Sequence, residues 1–317
     1  MTAAVLPPVL VSAYAASPAH VAWDPALEER LLADLVALPG VVGLEVPWID
    51  GIHPHDDAWF LTHVPAGAQL AVTPVPFVMG QCGRMPRYGL ASADEEGRLA
   101  ALADLRRVNA DVARLNDESA ATVRIVELHT APRGGGDPAA LTRSLGEIAE
   151  WDWQGARLVV EHCDAAVPGQ AHEKGFLALG DEIAAIRDSG APIGLWLNWG
   201  RSAIELRDGD AVAAQIADAA ASGLLVGLAF SGASPVEGPY GGPWIDAHLP
   251  VAETHPESQS LLDAPRLAAA LAAAPEVEWL GLKISRRPTD LTADAARATV
   301  ARNLDAVRAA AAVAAAA

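Results

Sequence analysis

The stretch RLVVEHCD, at positions 157–164, decides the fold that the sequence predicts. Three branched apolar residues run directly into a carboxylate, an imidazole, a thiol and a second carboxylate, and the chain then breaks at Pro168 and Gly169. An apolar run of this length, bounded by a turn signal, is typical of a buried strand. The pattern predicts a strand whose end carries chemistry.

The same pattern recurs along the chain. Apolar runs end on polar side chains in VVGLEVPW at Glu45, in VRIVELHT at Glu127 and His129, in IGLWLNW at Asn198 and in WLGLKIS at Lys283. Near-continuous apolar interiors suit parallel strands that are covered on both faces. The eight predicted strands are 9–14, 41–46, 69–73, 122–129, 157–162, 192–198, 224–231 and 277–285.

Helical segments alternate with these strands. An N-cap acceptor before a proline, or the capping-box spacing, marks several helix starts. These signals are Asp24-Pro25, Asp137-Pro138, Ser92 with Glu95, and Ser202 with Glu205. A last, alanine-rich helix is predicted over about 292–317.

The alternation predicts an α/β fold, a single (β/α)8 TIM barrel over residues 1–317. Extended strand-to-helix loops are predicted after strands 3 and 7, at 74–91 and 232–262. In such a barrel all of these loops emerge on one rim, where active sites are built. An open doubly wound sheet is the alternative, but no glycine-rich phosphate loop follows the first strand.

Composition restricts the partners. Forty acidic against 22 basic residues give a formal charge of −18, which argues against nucleic acid and anionic membranes as partners. Two distant cysteines, Cys82 and Cys163, argue against a disulfide framework and fit a reducing cytoplasm. The apolar start lacks a basic region and is interrupted at Pro7-Pro8, so a retained first strand and a cytoplasmic location are expected.

Glu161 is the first candidate for a catalytic group. A carboxylate at the end of a buried strand must meet a cation, a metal or hydrogen-bond donors, and a structural salt bridge to an arginine is the alternative. Glu127 and His129 are two residues apart, which directs both to one face for acid–base work or metal binding, unless they lie in a surface loop. Alternation points His162 away from Glu161 and predicts packing against a helix.

Lys283 is the third catalytic candidate, because a desolvated lysine can form a Schiff base or neutralise a carboxylate. An ion pair with Glu161 or Glu127 is the structural alternative. Arg84 and Arg87 lie in GQCGRMPRYG, a glycine-rich stretch that could close as a lid over an anionic substrate or could be an ordinary solvated loop. The remaining predicted substrate contacts are Tyr14, Glu45, Trp48, His129, Asn198, Trp199 and Ser231. Indoles stack on sugar rings, although these tryptophans could equally plug the mouth of the barrel.

The topology, together with VVGLEVPW, LVVEHCD and EKGF, resembles the xylose-isomerase-like barrels, and within them a branch known as a domain of unknown function. That group includes sugar isomerases, ketose 3-epimerases and an abasic-site endonuclease. The resemblance implies a divalent metal, Mn²⁺ or Mg²⁺, held at the ends of strands 5 to 8. Glu161 matches the first ligand, but Asn198, Ser231 and Lys283 stand at or near the other three positions. A lysine there would repel a metal ion, so the ligand set is incomplete and the cofactor is left unknown.

The residues and the resemblance together predict a sugar or sugar-acid isomerase or epimerase-like enzyme. Glu161 and Glu127 would relay a proton next to a carbonyl, while Lys283 or a metal stabilises the enediolate oxygen. A metal-free carbohydrate-binding or sensor protein is the main alternative, and a lysine-dependent aldolase or lyase is a weaker one. The expected partner is a small sugar or sugar derivative, and the sequence leaves a homo-oligomer open.

Overall fold

The computed structural model describes residues 6–316. Residues 1–5 of the predicted apolar start, and residue 317 of the predicted final helix, lie outside the described part. The eight strands are parallel and follow one another around a closed barrel, which confirms the predicted (β/α)8 architecture. They are β1 (Val9–Ser12), β2 (Val41–Pro47), β3 (Gln69–Thr73), β4 (Thr122–Leu128), β5 (Arg157–His162), β6 (Gly194–Asn198), β7 (Leu225–Phe230) and β8 (Trp279–Leu282).

Helices follow the strands along the chain. They are α1 (Ala13–Ala16), α2 (Pro25–Val36), α3 (Asp57–His63), α4 (Val75–Arg84), α5 (Glu95–Glu118), α6 (Pro138–Ala149), α7 (Leu179–Ser189), α8 (Trp199–Leu206), α9 (Val212–Ala221), α10 (Ala264–Ala273) and α11 (Ala293–Ala314). Two short 3-10 turns, Pro18–His20 and Pro256–Ser258, add to them. Within the described residues no helix combines the length and the apolar character that a bilayer crossing requires.

Two of the four local start signals located their helices correctly. Asp24 and Asp137 accept hydrogen bonds from backbone N–H groups in the first turns of α2 and α6, as predicted. The two capping boxes predicted at Ser92 and Ser202 are not formed, so these predictions are wrong. Helix α5 is capped by Asp94 and not by Ser92, and α8 already begins after Asn198, which places Ser202 inside the helix.

The chain forms two compact units. The first unit contains residues up to Glu45 and from Leu197 onward. In it β1 pairs with β2 and with β8, and β7 pairs with β8. The long segment between β7 and α10 is irregular apart from the 3-10 turn at Pro256–Ser258, and it lies in this unit.

The second unit contains Val46–Trp196, with β3 paired to β4 and β4 paired to β5. One face of α5 is buried from Leu102 to Leu115, where apolar residues recur every three or four positions, whereas Leu99 at the start of this stripe is 50% exposed. The segment 74–91 differs from the predicted extended loop, because α4 occupies its first half. That one domain spans residues 1–317 stays a prediction.

Candidate functional site

Lys283 forms a buried ion pair in the first unit. It directly follows β8, and its backbone N–H donates to the carbonyl of Phe230, so the sheet continues to this residue. Its Nζ lies 2.6 Å from Oε1 of Glu45 on β2, and the two side chains are 0% and 7% exposed. Two charges removed from water to this degree are tolerated as a pair. The structural alternative predicted an ion pair of Lys283 with Glu161 or Glu127, whereas the partner found here is Glu45, which the sequence did not indicate.

Tyr14 lies beside this pair, in the short helix α1 that follows β1. The Nζ of Lys283 is 5.4 Å from the centre of the phenol ring, which is within cation–π range. Burial raises the pKa of the Tyr14 hydroxyl well above its usual range, against the opposing effect of the nearby ammonium. The phenol therefore stays neutral near pH 7 and can donate a hydrogen bond.

A second charged group belongs to the same unit, and the sequence did not reveal it. Nε of Arg201 donates to Asp246 at 3.0 Å, and Nδ1 of His248 lies 3.0 Å from the other oxygen of that carboxylate. The His248 ring meets Tyr14 edge to face, with 6.4 Å between the ring centres. Burial lowers the pKa of His248, although Asp246 opposes the shift. The only available signal was the length of the segment after β7, which carries Asp246 and His248.

Asn198 has a fixed orientation. It ends β6 and caps α8, and its Oδ1 accepts hydrogen bonds from Gly200 N–H at 3.0 Å and from the Ser231 hydroxyl at 2.7 Å. A Cβ on Gly200 would lie 2.6 Å from Ser231 Oγ, so glycine permits this approach. Rotating the amide would turn its NH2 group toward the Gly200 donor and break the contact that fixes it.

The other end of this amide lacks an acceptor. Asn198 is fully buried, and its Nδ2 makes no hydrogen bond to any residue within 6–316. A buried donor in this state costs about 1–3 kcal/mol. Such a group is suited to an oxygen atom of a bound ligand. The neighbouring Trp199 is 1% exposed, and its contact with a substrate stays a prediction.

In the second unit a histidine and a carboxylate are joined at the ends of two paired strands. His129 follows β4, and its Nε2 lies 2.8 Å from Oε2 of Glu161 on β5, with both side chains buried. Glu127, two residues before His129, is buried as well. His129 is therefore no surface-loop residue, and an ionised Glu161 would accept the N–H of its imidazole.

His162 has the structural role that alternation predicted. Its Nδ1 lies 2.7 Å from Oε2 of Glu182 on α7, while the other oxygen of that carboxylate accepts the Thr130 hydroxyl at 2.6 Å. Glu182 thereby ties the ends of β4 and β5 to a helix. Asp164 organises the following loop, because its carboxylate accepts the backbone N–H of Glu173 and of Lys174.

Trp48 is buried, whereas the two arginines of the predicted lid are exposed. Trp48 donates from Nε1 to Asp111 at 2.8 Å, and lines a small apolar cavity that His129 also lines. The predicted lid stretch is partly helical, and Arg84 lies exposed at the end of α4. Arg87 is exposed and pairs with Asp94 at 3.0 Å, as in an ordinary solvated surface.

The donor groups do not fit the Mn²⁺ or Mg²⁺ ion that the resemblance implies. In the first unit the oxygen of Asn198 already accepts two hydrogen bonds, and Lys283 brings a positive charge. In the second unit ligand atoms of His129, Glu161 and Cys163 lie within 4.8 Å of one another. Imidazole and thiolate suit zinc better than ions that prefer carboxylate and water oxygens.

Comparisons with known proteins agree with this architecture. The model of a family described as Domain of unknown function (DUF4862) matches residues 10–299. An uncharacterised protein of Salmonella typhimurium strain LT2, STM3670, is 36% identical over 282 residues, which cover 87% of this chain and 88% of that protein. Both comparisons confirm the resemblance to a domain-of-unknown-function branch.

Three solved structures share the fold. A putative xylose isomerase from Rhodospirillum rubrum has a TM-score of 0.59 at 12% identity, with 96% of this chain and 99% of that chain covered. An L-ribulose 3-epimerase has 0.54 at 17%, covering 96% of each chain. A D-allulose 3-epimerase from Methylomonas sp., in complex with D-allulose, has 0.54 at 13%, covering 98% and 99%. At these identities the likeness shows the fold alone, a (β/α)8 barrel.

Proposed function

The chain belongs to the DUF4862 family, and from its buried polar groups we propose a sugar or sugar-acid isomerase or epimerase-like enzyme. The observation that carries the proposal is the 2.8 Å contact between His129 and Glu161 at the ends of β4 and β5. Ketose 3-epimerases among the proteins of similar fold support the same reaction class. The proposed reaction moves a proton at the carbon next to a carbonyl.

Glu161 is assigned the role of general base. Its contact with His129 fixes the direction of one carboxylate oxygen, and an imidazole is suited to pass on or return a proton near neutral pH. Glu127 is assigned the second carboxylate of the relay, since it precedes His129 by two residues on β4 and is equally buried. A pair of acid–base groups of this kind contributes about 10²- to 10⁴-fold to a rate.

For Lys283 we propose, from the geometry of the first unit alone, the stabilisation of a negative charge that develops on a substrate oxygen such as that of an enediolate. Its ammonium is held at 2.6 Å by Glu45, so the positive charge is present before the reaction and needs no reorganisation. The same contact disfavours the aldolase or lyase alternative. A Schiff base requires the neutral amine, whereas a buried carboxylate favours the protonated one.

A carbohydrate-binding or sensor protein is the second candidate. The Asn198–Ser231 hydrogen bond and the Lys283–Glu45 ion pair occupy groups that a metal-dependent isomerase would use as ligands. The protein would then keep a sugar site without turning the sugar over.

Glu161→Gln tests the proposal, and Glu182→Gln is its matched control, since both carboxylates are buried and both contact a histidine in the second unit. The assay follows hydrogen–deuterium exchange at the carbon next to the carbonyl by NMR, in a panel of ketoses and keto-acids, with and without added divalent ions. We expect Glu161→Gln to lose at least about 100-fold in exchange rate. Its melting temperature should stay within a few degrees of that of the wild-type protein.

The control should keep its exchange rate per folded molecule, even where its melting temperature falls. Wild-type exchange in Glu161→Gln would remove this residue from the mechanism. Calorimetric sugar binding by a wild-type protein that exchanges no proton would instead support the sensor alternative.

A further inference from the structure

The first unit contains an open cleft of about 480 Å³ beside Tyr14. Its walls come from the segments after β1 and β8 and from the long segment after β7, and they include Tyr14, Ser17, His20, Tyr240, Ser285 and Arg286. No aspartate or glutamate is among the described residues that line it. This is notable in a chain with 40 acidic residues and a net charge of −18. The imidazole of His20 already faces the buried carboxylate of Glu28 at 3.6 Å, so the positive charge that favours an anionic ligand comes from the guanidinium of Arg286.

Arg286 presents an uncommitted edge. Its Nη1 donates to the carbonyls of Arg287 at 3.0 Å and Pro288 at 3.2 Å, which anchors one end of the guanidinium. Within residues 6–316 no carboxylate pairs with it, and neither its Nε nor its Nη2 donates to a protein atom. The Nε and Nη2 edge has the fork geometry that binds a carboxylate or phosphate with two parallel hydrogen bonds.

The adjacent arginine shows the contrast. Nε of Arg287 donates to Asp290 at 3.1 Å, so its charge is neutralised within the protein, and it does not line the cleft. Two consecutive arginines thus differ in one respect that matters, namely the presence of a protein carboxylate. Arg287 provides a matched control for any effect of Arg286.

Tyr14 connects the cleft with Lys283. Tyr14 is one of the residues that line the cleft, and the centre of its ring lies 5.4 Å from Nζ of Lys283. A ligand anchored at Arg286 that also contacted Tyr14 would share that residue with Lys283. Pockets for small ligands commonly have volumes of about 300–1,000 Å³, so the cleft has room for a hexose derivative.

We propose that this cleft binds the anionic end of an acidic sugar, a carboxylate or a phosphate, through the Nε and Nη2 edge of Arg286. The inference rests on the proposed function and narrows its substrate to charged sugars. Because the overall negative charge of the protein repels anions at long range, the selectivity arises at this local contact.

Calorimetric binding at low and moderate salt tests the proposal with three probes: D-gluconate, D-glucose 6-phosphate and D-glucose. The proteins are wild type, Arg286→Gln and Arg287→Gln, each checked for an unchanged thermal unfolding curve. We expect wild type to bind one of the two anions at least about tenfold more tightly than glucose, which is the factor expected for a charge-assisted hydrogen bond. The preferred anion distinguishes the carboxylate from the phosphate.

Arg286→Gln should abolish this preference, while Arg287→Gln should keep it. Equal affinity for the three probes, absence of binding, or equal losses in the two variants would each overturn the proposal. The outcome is separate from that of the exchange assay. If Arg286→Gln loses the anion preference and the wild-type protein turns over no sugar, the cleft proposal holds and the proposed enzyme function is refuted. If the wild-type protein turns over anionic substrates with a KM that Arg286→Gln leaves unchanged, the enzyme function holds and the cleft proposal is refuted.

Discussion

Removing the charge of Lys283 should strongly destabilise the protein. Lys283→Met keeps an unbranched chain of similar length but removes the ammonium, and Glu45 then stays behind with 7% of its side chain exposed. Within residues 6–316 no other lysine, arginine or histidine forms an ion pair with Glu45. Breaking one partner of a buried pair costs about 3–5 kcal/mol, because the remaining charge is uncompensated. Loss of the cation–π contact with Tyr14 adds about 0.5–2 kcal/mol.

The double variant Glu45→Leu with Lys283→Met separates this effect from simple loss of packing. It replaces both charged side chains by apolar ones of similar volume, and such replacements are commonly close to neutral. Urea unfolding followed by circular dichroism should therefore give a large loss for Lys283→Met and recovery of most of it in the double variant. The expected coupling energy is at least about 2 kcal/mol.

The reasoning fails if Lys283→Met costs under about 1 kcal/mol, the value of an exposed pair. It also fails if the double variant is no more stable than Lys283→Met. Either result would mean that the Glu45 carboxylate is solvated or neutralised in the folded protein without Lys283.

Three further outcomes are expected. Acidification from pH 7 to 5 should lower the unfolding free energy, because burial lowers the pKa of His248 in the folded protein and the unfolded chain therefore binds the proton first. Urea titrations at stepped pH should show that His248→Gln reduces the dependence of the unfolding free energy on pH. Gly89→Ala should prevent normal folding, because φ is +153° and the new Cβ would lie 2.1 Å from the Ala131 carbonyl. In the control Gly67→Ala, φ is +76° and the new Cβ has open space around it, so thermal unfolding should show a loss of only about 1–2 kcal/mol in unfolding free energy. Millimolar Mn²⁺ or Mg²⁺ should leave the melting temperature unchanged, since the donor groups do not suit these ions, and a rise of several degrees would contradict that assignment.

Patterns that are local in the sequence were sufficient for the strands and for several helix starts. The predicted strands 69–73 and 157–162 match β3 and β5, because apolar runs with sharp polar ends leave little freedom in their bounds. Alternation correctly turned His162 toward a helix, since strand side chains change sides at every residue. The capping box at Ser202 failed because Asn198, a polar residue at a strand end, also caps the helix that follows it.

Contacts between distant residues could not be predicted in the same way. The sequence marked both Glu45 and Lys283 as polar strand ends, but 238 residues separate them and no local rule assigns one to the other. Asp246 and His248 lie in an irregular segment without periodicity, so their contact with Arg201 had no signal beyond the length of that segment. The glycines of α4 suggested a mobile loop, although packing of Val75, Phe77 and Cys82 fixes a helix there.

The substitutions at the expected metal-ligand positions of the first unit form a consistent set. A lysine in place of a ligand carboxylate adds a buried positive charge, and Glu45 on β2 supplies the negative charge that this requires. An asparagine in place of an aspartate removes a negative charge, and its oxygen is then satisfied by Gly200 and the Ser231 hydroxyl. Restoring only one acidic ligand at position 283 would place two carboxylates side by side without a cation. The charges of Lys283 and Glu45 therefore balance each other within this unit, and a change at either residue alone leaves the other charge buried without that partner.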